Sequence, residues 1–131
     1  MSSHISFSGL KNWNQCPYYY KITYVDKIKK FVGNHYTAFG TALHEVCENK
    51  INSSTFEDVE DMFEQAFLRE LKSLPEEAIS EIKLSDVNKM REQGKRLAKV
   101  AIPHLRQHFG SFEVVSTEED IYESIENFED Y

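Results

Sequence analysis

The chain has 131 residues, 40% hydrophobic and 28% charged, a length and balance that suit one folded domain with a modest core and exclude a disordered chain. Its net charge of −7 argues against a surface that grips nucleic-acid phosphates everywhere and leaves only local basic clusters for that purpose. No apolar run is long enough to cross a bilayer, the first residues carry neither a basic nor an apolar leader, and the two cysteines, Cys16 and Cys47, read as reduced thiols of a cytoplasmic protein.

Taken in chain order, Ser6 or Ser8 caps a short first helix that carries Leu10 and Trp13 inward. Pro17 fits the first turn of a second helix running to about Tyr24, because its missing N–H would be unpaired there anyway. Gly33 and Asn34 mark a loop. From Thr37 or Ala38 to about Ile51, apolar residues at Phe39, Ala42, Leu43, Val46, Cys47 and Ile51 make one helical face. Ser54 and Glu57 have the form of a capping box before a helix that buries Phe56, Val59, Phe63, Ala66, Phe67 and Leu71 and stops before Pro75. A short helix follows over Glu76 to Ile82. Ser85 caps a longer one with Val87, Met90, Leu97, Ala101 and Leu105 on one side, kinked or ended by Pro103 and stopped at Gly110. Beyond Gly110 the period changes. Phe112, Val114 and Val115, then Ile121, Tyr122 and Ile125, read as one long or two short strands. The expected fold class is α+β: a helical lobe over residues 1–110 and a strand region over 111–131 of one domain.

The most specific segment is Phe39-Gly40-Thr41-Ala42-Leu43-His44-Glu45-Val46-Cys47-Glu48. On a helix, Gly40, His44 and Glu48 recur every fourth residue and line one flank beside the apolar stripe. A glycine there leaves room for another backbone or a ligand. An imidazole and a carboxylate one turn apart can share a divalent metal, or the carboxylate can orient the imidazole. Lys21, Lys27, Lys29 and Lys30 form an early basic cluster, and Tyr20 beside it offers a ring on which an unpaired base can stack.

Three segments taken together resemble the opening of RecB-like nucleases of the PD-(D/E)XK type: Ser6-Phe7-Ser8-Gly9-Leu10, Cys16-Pro17-Tyr18-Tyr19-Tyr20, and the Gly40 to His44 helix. The likeness continues through Gly94 to Tyr122. It implies the helical start of a restriction-endonuclease-like domain and the first strands of its sheet. It also implies a phosphodiester hydrolase, of the phage or bacterial exonuclease kind that acts in DNA recombination and repair, in a bacterial cell or a phage-infected host. The resemblance makes His44 a ligand of magnesium or manganese and offers Glu118 as the carboxylate of the first strand, with Glu119 in reserve; Gly40 and Glu48 stand behind them. Its partners are DNA and the remaining strands of the same protein.

The chain departs from that pattern in one respect. No Gly-x-x-Asp strand followed by an Asp/Glu-x-Lys strand occurs in it. Glu48-Asn49-Lys50 and Glu81-Ile82-Lys83 match Glu-x-Lys by spacing but fall in helix or loop and read as accidental. The 131-residue chain is therefore expected to be inactive alone. In some relatives the cysteine of the Cys-Pro segment joins three others around an iron–sulfur cluster; here only Cys47 remains, on a buried face, and the chain cannot close such a cluster. The alternative reading is a small non-catalytic helical module that binds nucleic acid or a partner protein.

Overall fold

A computed structural model of the chain describes residues 4–28, 32–53 and 58–121. They fall into two units, Met1–Gly33 and Asn34–Tyr131.

In the first unit, α1 (Phe7–Gln15) starts at Ser6, whose hydroxyl accepts from Gly9 N at 3.1 Å. Serine is suited to this because its short side chain satisfies an N–H that has no partner inside the helix. Cys16 then caps α2 (Pro17–Tyr20), its Sγ accepting from Tyr19 N at 3.4 Å, and Pro17 occupies the first turn as expected. The chain continues as a turn of π-helix over Lys21–Val25. This wider turn brings Tyr24 over Tyr20, the rings stacked with centroids 5.1 Å apart. Asn12 of α1 donates to the Tyr24 hydroxyl at 3.1 Å, and Gly9 lies where any Cβ would be 3.3 Å from the Tyr20 ring. Leu10 and Trp13 do not point into a core as the sequence implied; about half of each is exposed. A helix of nine residues has room for only one packed face, and Gly9 and Asn12 have taken it.

The second unit is built on three helices, α3 (His35–Asn52), α4 (Val59–Ser73) and α6 (Leu84–Phe109), each packed on the other two, with the short α5 (Glu76–Ser80) between the last pair. Asn34 opens α3 with a full capping box: its side chain accepts from Tyr36 N and Thr37 N, and Thr37 Oγ1 accepts from Asn34 N at 2.8 Å. The expected capping box at Ser54 and Glu57, and Phe56, lie outside the described residues; Asp58 caps α4. The core is Ala38, Ala42 and Val46 from α3, Phe63, Ala66 and Phe67 from α4, and Ala98 from α6. Phe63 and Phe67 stack at 5.6 Å and Phe39 meets both edge-on at 5.5 and 5.9 Å, the geometries in which ring edges and faces attract. On α6, Val87 and Met90 pack against the core as expected; beyond them the buried line is Gly94, Ala98 and Ile102, one or more positions away from the expected Leu97, Ala101 and Leu105. Lys83, not Ser85, is the residue before the first turn, and α6 runs on through Pro103 to Gly110, whose φ of +70° ends it.

The expectation of an α+β fold is overturned. Among the described residues there is no strand and no sheet. Residues 112–116 form no regular element and no ladder, and Val115 is 93% exposed. A strand is defined by its ladder, and β-branched residues alone do not make one. The segment then bends at residues 117–118, where Glu118 has φ of +52°, a left-handed backbone foreign to a strand. Tyr122 and Ile125 lie outside the described residues. No described helix is long and apolar enough to cross a membrane.

Candidate metal centre

Helix α3 carries the site by its periodicity. Its apolar face, Ala38, Ala42 and Val46, is turned into the bundle; a residue two positions on from each is rotated well away from it. His44 is such a residue, and its side chain is exposed at 60%. One turn earlier, Gly40 faces open space: nothing among the described residues comes within 4 Å of the position a Cβ would take. One turn later, Glu48 is half-buried.

The segment after α6 returns to this flank. Glu118 Oε1 stands 2.9 Å from His44 Nε2, an ion pair whenever the imidazole is protonated. Just before it, Thr117 Oγ1 accepts from Asn52 Nδ2 at 2.8 Å and lies 3.4 Å from Glu48 Oε1. Glu119 turns elsewhere and accepts from Ser116 Oγ at 3.0 Å. The two residues named from the sequence as a ligand pair, His44 and Glu118, are thus neighbours in space although 74 positions apart by their numbering, and Glu119 is not part of that contact. Thr117 and Asn52 were not singled out in the sequence. Asn52 was within reach, since it continues the series Gly40, His44, Glu48 by one more turn; Thr117 gave no signal.

These residue types suit a divalent ion: a carboxylate and an imidazole on an exposed flank with free space above Gly40. No group of three His, Cys, Asp or Glu able to hold a metal occurs among the described residues. A magnesium-sized ion is ordinarily held by one or two carboxylates, with water and substrate phosphate completing the shell, so His44 and Glu118 fit as part of a ligand set.

The remaining sequence candidates are placed as follows. Lys21 pairs with Asp26 at 2.8 Å, which offsets its charge locally. Tyr20 has one face covered by Tyr24. Lys27 is exposed with φ of +51°, and Lys29 and Lys30 lie outside the described residues. On α6, basic residues are held by ion pairs to α4: Arg91 and Lys95 with Glu64 at 3.3 and 2.5 Å, and Lys99 with Glu60 at 3.5 Å. Of the two accidental Glu-x-Lys matches, Glu48 begins one within α3 and Glu81 the other in the turn after α5.

Comparison with protein families shows the superfamily of the chain. The model of the PD-(D/E)XK nuclease superfamily matches residues 4–126. The chain belongs to that superfamily. The match spans both units, α3 and the Thr117–Glu118 segment. No curated protein and no solved structure matches the chain. PD-(D/E)XK nucleases generally use divalent metals and act on nucleic acid, which accords with a flank of carboxylate and imidazole donors.

Proposed function

We propose that the chain is the N-terminal portion of a metal-dependent DNA exonuclease that acts in recombination or repair in a bacterial cell or phage-infected host. The observation that carries the reading is the 2.9 Å approach of Glu118 to His44 in a member of this superfamily. In the proposed site His44 and Glu118 are ligands of magnesium or manganese. Such an ion supplies charge stabilisation for the phosphorane-like transition state and a water of lowered pKa.

The chain's own residues do the rest. His44 presents its Nε2 from a helix fixed by Ala42 and Val46 in the core, so the donor is held rather than mobile. Glu118, 2.9 Å from that nitrogen, shares the ion with it and adds negative charge. The open space over Gly40 admits a phosphate next to His44, where a larger side chain would exclude it. Glu119, exposed and two residues beyond Thr117, stands in reserve as an outer carboxylate, and Tyr20, Lys21, Lys27, Lys29 and Lys30 contact the DNA strand. The Asp and Asp/Glu-x-Lys residues of the family come from strands outside residues 1–131, and these residues by themselves do not hydrolyse DNA.

Incubation of the protein that includes those strands with linear and covalently closed DNA, in magnesium and in manganese, tests the proposal. Linear DNA is degraded from its ends and the closed circle is spared. Equal cleavage of the circle would rule out the exonuclease reading, and cleavage unaffected by chelator would rule out the metal.

A further inference from the structure

Glu118 is not held by its own helix or by a sheet. It sits at a bend, exposed at 60%, in the left-handed backbone region with φ of +52°, where residues with a Cβ are strained and are found when neighbours over-determine the conformation. Something must therefore fix the bend. The candidate next to it is Thr117. Its hydroxyl accepts from Asn52 Nδ2 at 2.8 Å, and its single proton is directed to Glu48 Oε1 at 3.4 Å or Asn52 Oδ1 at 3.1 Å. Glu48 and Asn52 follow His44 on the same flank of α3 at intervals of four. Three successive turns of one helix thus grip two successive residues of the returning segment, Asn52 and Glu48 through Thr117, His44 through Glu118.

We infer that Thr117 is a positioning residue: anchored by Asn52 and Glu48, it holds the strained bend that sets the Glu118 carboxylate on His44. This rests on the proposed metal site and adds residues to it. Thr117 does not touch the metal or the substrate in this scheme. It acts through Glu118, and Glu48 acts through Thr117 rather than as a direct ligand. The physical case is entropic. An exposed carboxylate on an irregular segment is otherwise free to sample many positions, and fixing it beforehand spares that cost when an ion binds.

Thr117→Val removes the hydroxyl at nearly constant shape, Thr117→Ser keeps it, and Asn52→Ala removes the opposite end of the anchor from an exposed position. Two quantities are read by NMR: on the 131-residue chain, the cross-relaxation between the His44 ring protons and the Glu118 side chain; on the nuclease that includes the family's later strands, the broadening of the His44 ring signals by titrated manganese. The expected result is loss of the His44–Glu118 cross-peak in Thr117→Val and Asn52→Ala. Manganese affinity falls about ten- to a hundred-fold, as for residues that orient a ligand, and Thr117→Ser retains both. Melting temperature serves as a control, and Asn52→Ala carries the test if Thr117→Val melts early. A cross-peak that survives in both Thr117→Val and Asn52→Ala, or that is absent from the wild-type chain, overturns the inference. Wild-type His44 signals untouched by manganese overturn the metal-site reading instead, and the cross-peaks still decide whether Thr117 holds the bend.

Discussion

Gly94 of α6 lies directly over the ring of Phe63 of α4: a Cβ built at Gly94 would stand 1.9 Å from Phe63 Cζ and 2.1 Å from Cε1. Phe63 is fully buried among α3, α4 and α6, so the ring has nowhere to retreat. Glycine in a helix interior normally costs about 1 kcal/mol relative to alanine; here the close approach of two helices requires it.

Gly94→Ala should therefore destabilise the protein, against the gain from helix propensity. Overpacking typically costs about 1–3 kcal/mol. Pairing it with Phe63→Leu should recover part of the loss, because the smaller side chain vacates the clash, and the two changes should be non-additive. Urea melts of the two single variants and the double decide this. A Gly94→Ala protein as stable as wild type would mean that α4 and α6 are further apart than described.

The contact between Glu64 and Lys95, 2.5 Å across α4 and α6, predicts a pH dependence. The hydrogen bond from Lys95 holds the Glu64 carboxyl below its ordinary value, aided by the charges of Lys95 and Arg91 and opposed by its desolvation. The same hydrogen bond holds Lys95 above its ordinary value. A carboxyl lowered on folding stabilises above its unfolded pKa, about 4.3, and loses that contribution as pH falls through the lower folded value. A raised lysine stabilises below about 10.4 and loses the contribution as pH rises through its higher folded value. The melting-temperature gap between wild type and Glu64→Gln should be widest from mildly acidic to mildly alkaline pH and close towards both extremes. A gap that stays constant from pH 7 down to pH 3 would contradict the pairing.

The two thiols should differ in reactivity. Cys16 is exposed where it caps α2, whereas burial beside the α3 core pushes the Cys47 thiol up and lowers its thiolate fraction at neutral pH. A disulfide reagent should titrate one thiol quickly and the other slowly, and Cys16→Ser should abolish the fast phase. Survival of that phase would show Cys47 to be the accessible thiol.

How much of this was legible before the structure depends on what each residue interacts with. The helices of the second unit were readable because α3 and α4 repeat apolar residues at helical spacing, and a repeating face is a local property. On α6 the start of the face, Val87 and Met90, was readable, and its later part was misplaced because the central contact is Gly94, which carries no hydrophobic signal; only a partner ring gives it meaning. Leu10 and Trp13 were misread for a related reason, since Gly9 and Asn12 form the packed side of α1. The strands expected after Gly110 failed because Val114 and Val115 have the composition of a strand but no ladder among the described residues. At the site, His44 and Gly40 were visible as a helical flank, and Glu118 was named from the family pattern. Thr117 was not visible, because its role depends on a bend that brings it to Asn52, and bends of that kind leave no periodic trace.

The assignment of His44 as a metal ligand beside Glu118 is tested most directly by comparing His44→Ala with Leu43→Ala in the nuclease that includes the family's later strands, by thermal melting and by the manganese-dependent rate of linear-DNA degradation. His44 is exposed and off the packed face, so its loss should change stability by less than about 1 kcal/mol while the rate falls by orders of magnitude, because one ligand of the metal is gone. Leu43, which packs against the core, should cost about 2 kcal/mol, the low end for a large-to-small change because it is only partly buried, and should retain its rate at temperatures where it is folded. A His44→Ala protein that melts early, or one that degrades DNA at the wild-type rate, would contradict the assignment.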